Sequence, residues 1–557
     1  MNEDYKGLYA AIFLSAIVVL GVNYFFPKPV KQAPVAEEVV ITSESAQAET
    51  NTDTAAPEQE KPLTADEVVA QDTRLPLKNS VISGSIRLKG ARFDNLSLSK
   101  YKETIDAESP DVSLFVPAKT ENAFFAEYGW LSGDKTLVLP NSDTIWTVEG
   151  NAELTPSTPV TLTWDNGQGI KFINQISVDE TYLFTLEQTV ENNSGKAITL
   201  LPYGRLYKDL GSAEQSRGVV HEGFTGVMND KLKEVRYGSI KDEPQEFETT
   251  GGWVSLNDKY WFGSFIFGEN AQAKINLRKI KDNVYQLDYK GQPMQVLSGV
   301  KSSISTKLYA GAKEIKLLDK YADSIKKFDL NIDFGWYYFL TKPFFYILDF
   351  FYGLIGNMGW AILLFAAILR LSMFPLAHKS YDNMSKMKKI QPKIMALQAM
   401  YKDDKMALQR ATMDLYRREK VNPAAGCLPM FLQIPIFFSL FKVLNIAIEI
   451  RHAPFIGWVK DLSAPDPLTI STWAHIYVPS AIDIGIWPLI YGLTMFIQNR
   501  LNPQPANKDQ ARMFMLMPII FTIMFAHFAV GLVIYWILNN ILSLIQQKII
   551  MHKNGVK

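Results

Sequence analysis

The sequence predicts a polytopic α-helical membrane protein with six transmembrane helices, five of them clustered in the last two-fifths of the chain. It also predicts a large extracytoplasmic antiparallel β-sandwich between the first span and the second. Three observations predict this. Apolar runs with few or no charges, of a length suited to ~30 Å of hydrocarbon, occur once at the start and repeatedly at the end. The region between reads as short alternating runs separated by turn signals. The formal net charge of zero hides two unlike parts: residues 28–333 carry 34 Lys/Arg against 44 Asp/Glu, and the remainder carries 23 against 13. Such asymmetry places the two parts in different compartments.

Residues 1–27 read as an N-terminal anchor. Within them 8–26 (LYAAIFLSAIVVLGVNYFF) hold no charge. The leader MNEDYKG is not a basic n-region, and the run ends in Tyr24-Phe25-Phe26-Pro27 rather than a small-residue cleavage site. Residues 28–75, with ten acids, four basic residues and little bulky apolar content, read as a disordered acidic tether. Residues 76–333 form the β-domain. Ser80–Lys89, Val160–Trp164 and Tyr182–Val190 alternate as strands, and Asp165-Asn166-Gly167 and Asn192-Asn193-Ser194-Gly195 mark turns. Residues 334–349 are dense in aromatics and read as an amphipathic helix in the outer interface, with Pro343 against one straight helix into the next span.

The remaining spans are expected at 350–375, 426–446, 482–498, 513–529 and 530–550. The last two come from one apolar block, Met513–Ile550. As a single helix its 38 residues would be ~57 Å long, so it must turn near Ala526–Gly531. Segment 376–425 has eleven Lys/Arg and five acids, which makes it cytoplasmic under the positive-inside rule. Parity then places 28–333 and the 447–481 loop outside. The N-terminus, the 499–512 loop and the 551–557 tail fall inside.

Segment 376–425 reads as a basic helical hairpin of coiled-coil type. Met384, Met387, Ile390, Ile394, Leu397 and Met400 recur at three- and four-residue steps, Pro392 is expected to kink or split the first helix, and Asp403 or Asp404 can cap the second. Its six methionines suit a surface for varied apolar partners, but their periodicity favours packing of the two helices on each other.

Arg370, in the run Trp360 to Phe374 (WAILLFAAILRLSMF), is the chief candidate functional residue. A charge inside a span costs several kcal/mol on insertion scales. It is tolerated by snorkelling to headgroups or by facing protein or a hydrated cavity. Gln433, Thr494, Asn539, Asn540 and Ser543 are further intramembrane polar residues, Pro429 and Pro435 free backbone groups that need partners, and no acid lies in the inner half of any span. The single cysteine, Cys427, allows no intrachain disulfide, the six histidines show no metal-ligand spacing, and no nucleotide motif is present. No cofactor and no catalytic constellation is expected. Charge and composition argue against nucleic acid as the main partner.

The combination of motifs resembles one family. Arg370 stands in the second span, a basic hairpin precedes Asn422-Pro423, and Gly426-Cys427-Leu428-Pro429 opens the third. Gly531-Leu532-Val533-Ile534-Tyr535-Trp536 and Asn539-Asn540 mark the last. This is similar to the YidC membrane-protein insertase family in its Gram-negative form, over nearly the whole chain. The resemblance implies a β-supersandwich outside and a five-helix core enclosing a hydrophilic groove open to cytoplasm and lipid. It implies that Arg370, with Gln433 lining the groove, attracts the acidic outer tail of a nascent inner-membrane protein. Pro429, Met430, Phe437, Tyr535 and Trp536 would contact the passing substrate helix, and Trp458 would help close the outer side. The implied partners are the Sec translocon, membrane lipids, and the ribosome through segment 376–425. By residues alone, a transporter or channel stays open, although no inverted repeat or paired ionisable residues favour it.

Overall fold

The computed structural model describes residues 63–211, 220–401, 404–422, 428–479, 482–502 and 508–555. The expected anchor at 1–27 and tether residues 28–62 lie outside the described residues. The end of that tether is ordered, contrary to expectation. Thr64 and Glu67 form a capping box on a short helix, α1 (Ala65–Val69), and the first strand starts at Arg74. Arg74 pairs with Asp94, and Arg87 with Asp72 at 2.7 Å. These ion pairs bind a stretch that its composition alone leaves unordered.

Two antiparallel sheets follow, of ten and nine strands among the described residues. Their strands read as half-buried in the sequence because alternate side chains point into the core. Ile170–Val178 and Leu183–Asn192 alternate in burial almost residue by residue. The expected turns form as their chemistry requires: Asn166 Oδ1 accepts from the N–H groups of Gln168 and Ile170, and Gly167 takes φ +70°. The inner faces meet through aromatic side chains, with Phe93 and Phe184 at 5.5 Å and Tyr128 and Phe265 at 5.3 Å, both edge-on. On the outer face of the first sheet, Arg205 bridges Glu127 and Asp288 across adjacent strands, at 3.1 and 2.8 Å.

The β-domain closes with α2 (Ile315–Ala322). Then come α3 (Tyr338–Ile355), α4 (Met358–Ser372), α5 (Phe374–Met400), α6 (Lys405–Arg418), α7 (Leu428–Ile446), α8 (Ile470–Ala474), α9 (Ile486–Leu501), α10 (Lys508–Phe525) and α11 (Val530–Lys553). Two expected boundaries move. The aromatic helix runs through Pro343 to Ile355 instead of ending at 349, so the next helix starts at 358, not 350. Gly356, at φ +73°, ends α3, and the Asn357 side chain caps α4 by accepting from Trp360 N–H. Capping chemistry, not Pro343, decides the break. Likewise Pro392 neither splits nor ends α5, which runs on for 27 residues. The sharp bend, 65°, comes at Met373 between α4 and α5. Asp404 caps α6 by accepting from Ala407 N–H at 2.9 Å.

Helix α11 is the hub of the bundle, packing on α4, α5, α7 and α9, while α3 packs on α4 and α7. Among the described residues α11 is the one helix long and apolar enough by itself to cross a membrane, and α4 with α5 qualifies when taken as one bent element. The apolar block turns between Phe525 and Val530.

The β-domain is tied to the bundle by charge. Lys342 on α3 reaches Asp319 on α2 at 2.7 Å and Asp329 at 3.0 Å, and Lys316 meets Asp349 at 2.6 Å. Lys442, which interrupts the apolar run of α7, is explained here. Its ammonium lies 2.6 Å from Asp333, and Asp333 also accepts from His221 N–H.

Candidate functional site in the helical bundle

Arg370 sits on the last turn of α4, where the partial negative charge of a helix C-terminus favours a cation. The bend at Met373 carries α5 back across it. The residue is buried, at 9% exposure, and Nη2 donates to the Tyr381 hydroxyl on α5 at 2.8 Å. Nε is buried with no hydrogen-bond partner, and no carboxylate pairs with Arg370 among the described residues. The side chain therefore turns inward instead of snorkelling outward. A guanidinium has five N–H donors, so this one retains capacity for a bidentate acceptor such as a carboxylate.

Gln433 on α7 donates to the Tyr535 hydroxyl on α11 at 2.8 Å. Gln433 and Tyr535 thus place a polar pair between α7 and α11, and α11 also packs on α4, which carries Arg370. Tyr535 is only 2% exposed, so in this conformation it belongs to the interior rather than to an open apolar face. Phe437 and Trp536 meet at 5.7 Å, both partly buried. Pro429 and Met430 fall on the first turn of α7, and their side chains lie outside the described residues.

The polar seam continues along α11. Asn540 donates to Thr494 on α9 at 3.1 Å, Ser543 to the Asn539 carbonyl at 2.6 Å, and Gln546 to the Phe374 carbonyl at 3.3 Å. Gln547 reaches Asn502 at 3.1 Å. Residues 539, 540, 543, 546 and 547 share one helical face. Gln546 and Gln547 were not among the expected residues, although they extend the spacing begun at Asn539. Tyr381 carried no signal, because only the bend between α4 and α5 brings it to Arg370.

Trp458 lies in the loop after α7, which meets the β-domain where Arg451 donates to the Glu103 carbonyl at 3.0 Å. Its Nε1 donates to Asp466 at 2.9 Å, and its ring lies 6.0 Å from Trp487 at the start of α9. Asp466 also accepts from the N–H groups of Leu468 and Trp487. The carbonyls of Leu462 and Ala464 in the same loop accept from Gly531 and Val530, satisfying the first N–H groups of α11. The loop therefore covers the N-terminal end of the hub helix.

At the other end, Met395, Met400, Met406 and Met413 of the α5–α6 hairpin are exposed. A cavity of about 280 Å³ lies against Met413, Tyr416 and Val421. Ile390 and Ile394 pack with Val421, so part of the periodic stripe joins the two arms. Among the described residues no cluster of His, Cys, Asp and Glu could hold a metal ion.

These features define a class: a bundle of apolar helices that turns a buried arginine and a polar seam inward, with an antiparallel β-domain docked against one end. Comparison with known proteins narrows it. Residues 74–347 match the family model of the YidC periplasmic domain, and 350–556 match that of the 60Kd inner membrane protein. The protein named membrane protein insertase YidC of Rhizobium meliloti is 42% identical over 574 residues, covering 100% of this chain and 97% of that one. Its namesake in Rickettsia bellii is 43% identical over 564 residues, covering 98% and 99%. That of Brucella suis is 45% identical over 508 residues, covering 89% and 83%. The chain belongs to the YidC family of membrane protein insertases.

Proposed function

We propose that the protein inserts newly made proteins into the inner membrane through the polar seam between α4, α5, α7 and α11, with Arg370 as the receiving charge. The six-span topology, with both termini cytoplasmic and 28–333 periplasmic, belongs to this reading. So does a seam that opens to cytoplasm and lipid. An acidic outer tail of the substrate would pair with the Arg370 donors and lose part of its dehydration cost there. Its apolar helix would then pass Phe437 and Trp536 into lipid. Burial of that helix drives the step, aided for acidic tails by the membrane potential at ~2.3 kcal/mol per charge per 100 mV. Gln433 and Tyr535 would keep the seam polar, and the Trp458 loop would keep its outer end closed. Action alone or with the Sec translocon, and contact with the ribosome through the methionine-bearing hairpin at 376–425, complete the proposal.

The observation that carries it is a buried arginine whose hydrogen bond goes to a neutral hydroxyl. A structural arginine at that depth would be expected to have an acidic partner. The test is insertion of a short single-span protein with an acidic outer tail into liposomes holding equal amounts of wild type, Arg370→Ala or Arg370→Lys. Insertion by wild type and Lys but not by Ala is expected. Equal insertion by all three would refute the role of the charge. No insertion above empty liposomes by wild type would favour a transporter or channel, or an obligate partner.

A further inference from the structure

The outer loop carries a second feature. Residues 467–482 (PLTISTWAHIYVPSAI) contain no Lys, Arg, Asp or Glu. Within them Trp473 is 68% exposed, Ile476 54% and Tyr477 92%. The base of this excursion is firmly built. Thr469 pairs with Gly485, Ile470 N–H donates to the Ile484 carbonyl, and Ile486 N–H to that of Leu468. Asp483 accepts from the Thr469 hydroxyl and from both the N–H and hydroxyl of Ser471. A capping box at Thr469 and Thr472 starts α8, which carries Trp473. The Asp466 hub described above braces the same base against Trp458 and Trp487.

A rigid support that holds an uncharged aromatic tip in the open needs an apolar partner for the tip. We infer that Trp473, Ile476 and Tyr477 are an interfacial anchor that sits in the outer leaflet at headgroup level. Trp and Tyr combine a large apolar ring with one polar atom, which suits that boundary better than either water or hydrocarbon. The chain also leads there. Helix α9 begins at Ile486, and Ile482, Leu489, Leu493 and Phe496 are exposed and apolar, so the chain that carries the tip goes on into a helix with an apolar face free for lipid. The inference rests on the reading of α9 as a span. Its consequence is that the loop closing the outer end of α11 is held by lipid on one side and by Asp466 on the other.

The single cysteine makes the test direct. Tyr477→Cys and, separately, Leu493→Cys are placed in a Cys427→Ser background, labelled with a polarity-sensitive fluorophore and reconstituted into phosphatidylcholine vesicles. Both side chains are well exposed, at 92% and 60%, so neither substitution removes core packing. At 477, a blue-shifted emission is expected, quenched at least threefold more by lipids with a shallow nitroxide than by deep-labelled lipids or aqueous iodide. At 493, quenching by the deep-labelled lipids is expected. Water-like emission and full iodide quenching at 477, with lipid quenching intact at 493, would overturn the anchor alone. Blue-shifted emission at 477 that neither lipid nitroxide nor iodide quenches would replace lipid by a protein partner and also overturn it. Loss of lipid quenching at 493 would sink the span reading and the anchor together.

Discussion

Replacing Lys442 by Met tests how the outer domain is held to the membrane bundle. The Lys442 ammonium lies 2.6 Å from Asp333, and the two side chains are 10% and 19% exposed. Burial works against the Asp333 charge. The Lys442 charge and hydrogen bond, with the His221 N–H, outweigh it and hold the carboxyl below its usual range. Met preserves length and apolar packing but leaves that carboxylate buried with the N–H groups of His221 and Gly335. Breaking a buried pair from one side costs ~3–5 kcal/mol. With two backbone donors remaining, the lower end, about 3 kcal/mol, is expected. That corresponds to roughly 150-fold faster opening, read as amide hydrogen exchange in residues 328–342 of protein in lipid nanodiscs. Adding Asp333→Asn should recover most of the loss, because the stranded charge is then gone. A single variant with exchange within threefold of wild type, or a double variant no better than the single, would refute the reasoning. The pair also has a pH signature. Because the Asp333 pKa is depressed, its contribution is complete above the ordinary carboxylate range and is lost as pH falls through the folded value.

Glu449 should act in the opposite sense. Burial pushes its carboxyl up to about 7 against the pull of its own and Ile315 N–H groups, and its Oε2 has no partner. The docked state then holds a proton that the undocked state releases near 4.5. Docking should therefore weaken as pH rises through that interval and level off above about 7. Glu449→Gln should flatten this slope in a proteolysis assay of domain release, and an unchanged slope would refute the assignment. Gly359→Val should destabilise by about 1–3 kcal/mol, because a Cβ there would lie 2.0 Å from the Phe455 ring; a melting temperature equal to wild type would contradict that packing. Gln433→Leu and Tyr535→Phe should each cost about 1–2 kcal/mol, and the double variant little more than either single one. Fully additive losses in a double-mutant cycle would mean that the two groups do not share their hydrogen bond.

The division into an apolar helical end and an alternating β-domain was legible because burial imposes periods of 3.6 and 2 on the chain. Turn chemistry at Asp165-Asn166-Gly167 and the cap at Asp404 were legible for the same local reason. Boundaries were less so. From the sequence, Pro343 argues against one straight helix into the next span, and Pro392 is expected to kink or split the first arm of the hairpin. Instead Gly356 with Asn357 separates the two helices, and the chain passes Pro392 within one helix. A proline removes one hydrogen bond, whereas a left-handed glycine followed by an N-cap ends one helix and starts another. The residues 64–75, acidic and low in bulky apolar groups, gain order from ion pairs to strands that lie later in the chain.

Arg370 stood out from the sequence alone because a charge in an apolar helix is costly wherever it points. Where it points was a tertiary decision. The bend that brings Tyr381 to its guanidinium, the packing that sets Gln433 on Tyr535, and the linker that delivers Asp333 to Lys442 all join residues distant in sequence or separated by a helix break. The sequence by itself determined which residues could not be left unpartnered. Only the fold, by bringing separate helices and the β-domain into contact, decided which partner each would have.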